Sequence, residues 1–252
     1  MKINKIAAQL YTVREFCKTP EDLHKTVEKI KEIGFDAVQV SGIAPIDVCE
    51  LKKILDGEGL KCCATHEPGK AILEETERII ERLKILGCKY AAYPNPHVPL
   101  KSATDYSKLA KDLSNAGARM AESGLVLCYH NHAREFELFD GRLGLDIIYD
   151  ESDSKFLQGE IDTYWVQAGG QNPAKWCKKL KGRLPLIHLK DYGIIENVPT
   201  MFEIGRGNLD WEKILKSAKK AGVEWFIIEQ DSCRRDPFES LKISLEYLKE
   251  EF

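Results

Sequence analysis

One junction recurs along the chain and limits the folds open to it: an amphipathic segment, a glycine, then a short apolar run. It occurs at Gly34 (GFDAVQV), Gly59 (GLKCCATH), Gly87 (GCKYAAYP), Gly124 (GLVLCYH), Gly182 (GRLPLIHL) and Gly222 (GVEWFIIEQ). A helix commonly ends on a residue in the left-handed conformation, which glycine adopts without steric cost. Each junction therefore reads as a helix end delivering the chain into a strand. Apolar residues fall at helical spacing on one face of these segments: Leu23, Val27 and Ile30; Val48, Leu51 and Leu55; Ile72, Ile79, Ile80, Leu83 and Leu86; Leu109, Leu113 and Met120; Leu241, Leu245 and Leu248. With KIAAQLY near the start and FLQGEID before Asp162, eight strands are predicted, near residues 5–11, 36–41, 60–66, 88–94, 125–130, 157–162, 184–190 and 225–230. Several are continuous apolar runs, the pattern of a parallel sheet covered by helices.

Eight such units in 252 residues, with no Pro/Ser-rich linker, predict a single domain spanning residues 1–252, an α/β chain closed into a (β/α)8 TIM barrel. An open doubly wound sheet is the competing arrangement. Against it, the first strand runs into YTVREF, with no glycine-rich phosphate loop there or elsewhere. GRGN at 205–208 follows Glu203 within a loop and does not open a helix after a strand.

The 37 Lys+Arg against 40 Asp+Glu give a net charge of −3, which argues against a nucleic-acid-binding surface. No apolar run approaches the roughly 20 residues of a membrane span, and the start lacks a signal segment. A cytoplasmic location with no membrane partner is expected, and self-association is left open. The eight cysteines are scattered, several inside apolar runs, and no C-x-x-C pair occurs. They read as small core residues and not as thiolate zinc ligands or disulfides.

In a barrel, function collects where strands end. Gln9 stands at the end of the first strand, His66 at the third, His130 and His132 at the fifth, Asp162 at the sixth, His188 and Lys190 at the seventh, and Glu229 at the eighth. Burying such groups without partners is costly. A divalent cation (Mn, Mg, Co or Zn) held by Asp162, His188 and Glu229 from three successive strands is the economical answer. The plainer alternatives are that Asp162 caps the following segment, His188 meets a backbone carbonyl and Glu229 pairs with Lys190. Lys190 is a candidate for neutralising a developing enolate, and Trp165 for walling a sugar site.

The runs AAQLYTVR, YHNHAREFE, GEIDTYWVQAGG, GRLPLIHLKD, FEIGRGNLDW and VEWFIIEQD resemble the sugar phosphate isomerase/epimerase group of xylose-isomerase-like TIM barrels. That group also includes inosose dehydratases and, more distantly, endonuclease IV. The resemblance implies one divalent metal bound through Glu, Asp, His and Glu, with a sugar or cyclitol as substrate. Asp162, His188 and Glu229 match three of the ligands. Where the first Glu belongs, the chain has Tyr129-His130-Asn131-His132, so His130, His132 or Glu135 takes that place, with Glu135 preferred. The implied reaction is isomerisation or epimerisation by proton transfer through a cis-enediolate, with Glu229 and Glu135 as flanking bases and Lys190 beside them. Gln9, His66, His132, Trp165 and Arg206 are the expected substrate contacts. Histidine opposite Glu229 would instead protonate a leaving hydroxyl, which makes dehydration of a keto-sugar the main alternative; an inactive sugar-binding barrel is a third. Endonuclease activity is disfavoured, since Asp162 is followed at +3 by Trp165 and His188 by no D-x-H pair.

Overall fold

The computed structural model describes residues 5–252. The single-domain span expected for 1–252 thus includes residues 1–4, which lie outside the described residues. Eight parallel strands close into one barrel: β1 Ile6–Gln9, β2 Ala37–Val40, β3 Lys61–His66, β4 Tyr90–Tyr93, β5 Val126–His130, β6 Leu157–Asp162, β7 Leu186–Leu189 and β8 Trp225–Ile228. β1 pairs with both β8 and β2, so no edge is left open.

All six junction glycines have positive φ, from 64° to 106°. At Gly34, Gly87 and Gly222 the amide N–H caps two carbonyls of the preceding helix, so the left-handed residue both ends the helix and turns the chain toward the barrel. The apolar faces predicted for these helices are buried against the strands, Leu23, Val27, Ile30, Leu83, Leu113 and Leu245 among them. The segment carrying Ile72 to Leu86 is two helices, Gly69–Glu74 and Thr76–Leu86, broken at Glu75. Five of the eight cysteines are buried, as expected of core residues, but Cys49 is exposed; all eight are free thiols. Among the described residues no helix is long and apolar enough to cross a membrane.

The barrel interior changes character along its axis. Ala7, Ala37, Ala64, Cys128, Leu186 and Ile227 pack together near the N-terminal ends of the strands. Side chains on a strand alternate faces with a period of two, so the next inward positions are Gln9, Gln39, His66, His130, His188 and Glu229. The inward layer thus switches from small apolar to polar over two residues on strand after strand. Register brings Gln9 level with Gln39, His130 with Glu160, and Asp162 with His188. Between Val38 and Gln39 the pairing shifts by one residue, leaving Cys63 of β3 as the extra residue of a bulge beside this layer.

Two hairpins decorate the C-terminal face. One pairs Leu138–Phe139 with Arg142–Leu143, and the other Asp191–Ile195 with Val198–Phe202.

Candidate active site

Asp162, the last residue of β6, uses its two carboxylate oxygens differently. Oδ1 accepts the Trp165 N–H at 3.0 Å and caps the short helix Thr163–Ala168. Oδ2 is buried and accepts no hydrogen bond; it lies 3.0 Å from the Lys190 ammonium and 3.9 Å from His188 Nδ1. Next along the barrel, His188 Nδ1 is 2.7 Å from Glu229 Oε2. Lys190, only 1% exposed, also reaches Glu229 Oε2 at 2.8 Å and Asp231 Oδ1 at 2.9 Å. Both plain roles foreseen for Asp162 and Glu229, helix cap and lysine partner, are therefore filled, yet an oxygen of each still faces the cluster.

The charges hold one another in place. Burial by itself would depress His188, but the Glu160 and Glu229 carboxylates reverse this and push its pKa up to about 10. Burial likewise works against ionised Glu229 and Lys190. Lys190 and His188 nevertheless keep Glu229 well below the usual carboxylate range, while Asp162, Glu229 and Asp231 keep Lys190 well above the usual amine range. Asp231 goes the other way, raised to about 6 by burial and then by neighbouring Glu229. Burial pushes His130 and His132 down to about 3, leaving both imidazoles neutral at pH 7.

The donors suit a divalent cation. His130, Asp162, His188 and Glu229, all buried, offer ligand atoms within 4.8 Å of one another. Two imidazoles, two carboxylates and a buried carboxylate oxygen without a hydrogen bond are the chemistry such an ion requires. In this group His130 stands beside Asp162, His188 and Glu229, where the sequence leaves the fourth donor open. Glu135 lies apart. It sits on the single turn Arg134–Phe136, fully buried, accepting the Tyr129 hydroxyl at 3.1 Å and the His132 N–H at 2.8 Å.

A second polar layer lies beneath. Glu160 is fully buried two residues before Asp162, on the same inward face of β6. His66 Nε2 is 2.7 Å from its Oε2, His130 Nδ1 3.3 Å from the same oxygen, and Gln39 donates to Oε1 at 2.7 Å. Sequence reasoning missed Glu160, Gln39 and Asp231. The period-two rule applied backward from Asp162 and forward from Glu229 would have found Glu160 and Asp231. Gln39 carries no such signal, because β2 ends without a titratable residue.

Above the cluster opens a cavity of about 300 Å³. His66, His130 and His132 line it from β3 and β5, with Lys190, Glu229 and Asp231 across from β7 and β8. Among the described residues, no carboxylate from β3, β4, β5 or their loops lines it. Trp165 stands at the margin, its ring 5.4 Å from that of His132 and 5.7 Å from the Lys190 ammonium. Gln9, fully buried, turns its amide to Gln39 and the Tyr11 N–H and lies outside the cavity lining. Arg206 is exposed and also outside that lining. Its loop is organised by Asp191, which accepts the N–H groups of Tyr192, Gly205, Gly207 and Leu209 and the Trp211 indole.

A closed parallel barrel with polar side chains converging at the C-terminal strand ends is the architecture of the TIM-barrel enzymes. The chain belongs to the xylose isomerase-like TIM barrel family, whose profile matches residues 27–251. It is 25% identical over 270 residues to an inosose dehydratase of Clostridium beijerinckii, covering 90% of this chain and 88% of that one. It is 22% identical over 263 residues to the rhizopine catabolism protein MocC of Rhizobium meliloti, covering 90% and 80%. A solved sugar phosphate isomerase/epimerase of Parabacteroides distasonis superimposes with a TM-score of 0.83 at 20% identity, covering 100% of this chain and 95% of that one. At that identity the likeness establishes the fold.

Proposed function

We propose that the protein is a divalent-metal-dependent enzyme that removes the proton α to the carbonyl of a keto-sugar or keto-cyclitol and expels water from the neighbouring carbon. The observation carrying this reading is the asymmetry of the cavity: carboxylates and an ammonium on the β7–β8 wall, imidazoles and no carboxylate on the other. Two-base epimerisation calls for a second carboxylate on the far wall. Glu135, which the sequence offers for that role, is fully buried and engaged by Tyr129 and His132.

His130, Asp162, His188 and Glu229 would hold the cation, which when bound polarises the carbonyl and lowers the cost of enolate charge. Glu229 accepts the α proton. The Lys190 ammonium, 2.8 Å from Glu229, compensates the negative charge that develops beside it. His66, the lining imidazole of the facing wall that pairs with buried Glu160 at 2.7 Å, gives its proton to the departing hydroxyl. One C–H and one C–O bond break, a C=C bond forms and water leaves. The similarity to inosose dehydratase supports this reading. Isomerisation is the second reading, because a single base on one face, Glu229, suffices to move a proton between adjacent carbons.

The deciding experiment incubates Mn²⁺-loaded protein with a panel of inososes and ketoses in D₂O. The expected result is an ultraviolet-absorbing enone or diketone, with deuterium at the carbon that lost its hydroxyl once the enol product ketonises and at the α carbon of recovered substrate. Deuterium in an isomerised product without that chromophore selects isomerisation. Absence of any exchange across the panel overturns both.

A further inference from the structure

We propose that Gln39, anchored by Gln9 and Glu160, is a positioning residue that fixes which ring nitrogen of His188 faces the cation site. The inference rests on the metal-binding part of the function proposed above and adds residues to it that touch neither cavity nor substrate.

The argument follows the direction of each hydrogen bond. The orientation of Gln39 is fixed from the Gln9 side, where the Tyr11 backbone N–H can only donate. Gln9 Oε1 accepts that N–H at 3.4 Å, leaving Nε2 to donate to Gln39 Oε1 at 2.8 Å. The other end of Gln39, 2.7 Å from Glu160 Oε1, is then its amide nitrogen. Gln39 Oε1 therefore has no proton to give. His188 Nε2 lies 2.6 Å from that oxygen, and only a protonated Nε2 satisfies the contact. That leaves Nδ1, 2.7 Å from Glu229 Oε2 and 3.9 Å from Asp162 Oδ2, as the nitrogen turned to the cation site, where a bound ion takes the place of its proton.

Gln9, Gln39, Glu160 and His188 are all fully buried, so no water substitutes for a missing partner among them. Gln39 is the inward position after Ala37 on β2, across the barrel from β6, and its amide reaches Glu160 over the barrel floor. Partners of this kind hold a ligating imidazole in one tautomer, and their loss typically weakens metal binding tenfold to a hundredfold.

The test uses the full chain labelled with ¹⁵N-histidine and loaded with Zn²⁺, the His188 signals being assigned with His188→Gln. The expected spectrum has Nε2 protonated and Nδ1 carrying the metal-induced shift. In parallel, Gln39→Met, which keeps volume but removes the acceptor, is expected to bind Mn²⁺ tenfold to a hundredfold more weakly by calorimetry at unchanged stoichiometry. Zn²⁺ on Nε2, or equal Mn²⁺ affinity in the folded variant, overturns the inference while leaving the metal reading intact. Failure of the wild type to take up either ion overturns both. Should Gln39→Met not fold, the wild-type spectrum decides by itself.

Discussion

Lys190 Nζ lies 2.8 Å from Glu229 Oε2, with both side chains buried at the ends of neighbouring strands. The same ammonium stands 3.0 Å from Asp162 Oδ2, so it is the cation that offsets both carboxylates. Removing one member of a buried ion cluster leaves the others uncompensated, at a cost of about 3–5 kcal/mol. Lys190→Met is therefore expected to lower unfolding stability by about that amount in EDTA, and by markedly less with saturating Mn²⁺, whose charge replaces the ammonium. Denaturant unfolding under both conditions measures this. Equal losses with and without metal would show that Lys190 does not share its carboxylates with the ion.

Glu229→Gln tests the base directly. The amide keeps the shape but cannot accept a proton, and a positioned base typically contributes 10²–10⁴-fold. Product formation and solvent-deuterium exchange are both expected to fall by at least about a hundredfold. Loss of product formation with exchange preserved would move the base elsewhere, with Asp231, which lines the same wall, next to be tested.

The comparison of sequence with structure divides along physical lines. Strand positions were legible because each depends on local signals, helical spacing and a glycine stop, and β6 at Leu157–Asp162 agrees with its predicted range residue for residue. Asp162, His188 and Glu229 were legible because charged groups at strand ends stand out against apolar runs. Which of His130 and Glu135 lies beside them was not, since the two are five positions apart and the course of the turn at Arg134–Phe136 leaves no mark in the spacing. Gln9 reads as a substrate contact from its position at a strand end, a rule that cannot separate the cavity surface from the layer below. Gln39 and Glu160 belong to that lower layer, where contacts run between strands far apart in sequence.

Asp191 follows Lys190 yet serves a different purpose. It gathers four backbone N–H groups and the Trp211 indole, pinning the loop that carries Arg206. Asp191→Ala strands these donors, each worth about 1–3 kcal/mol where burial prevents rescue by water. Because several are partly exposed, a destabilisation of about 2–4 kcal/mol is expected, with faster amide exchange confined to residues 205–209. Uniform acceleration across the barrel, or none, would contradict the loop-pinning role.

Acid sensitivity follows from Glu160. Burial by itself would raise its pKa, but His188 and His66, with hydrogen bonds from His130 and His188, hold it well below the ordinary 4.5. A carboxylate depressed in the folded state contributes stability that is present above its unfolded pKa and is lost as pH falls through the folded value. The metal-free wild type should therefore exceed Glu160→Gln in stability at pH 7, and the gap should begin to close below about pH 4.5, where the unfolded carboxylate takes up a proton. Urea unfolding of both proteins in chelator from pH 7 to pH 3 gives the comparison. A gap that stays constant over that range would mean Glu160 acts through shape and hydrogen bonds alone, and that its charge does not hold the imidazoles around it.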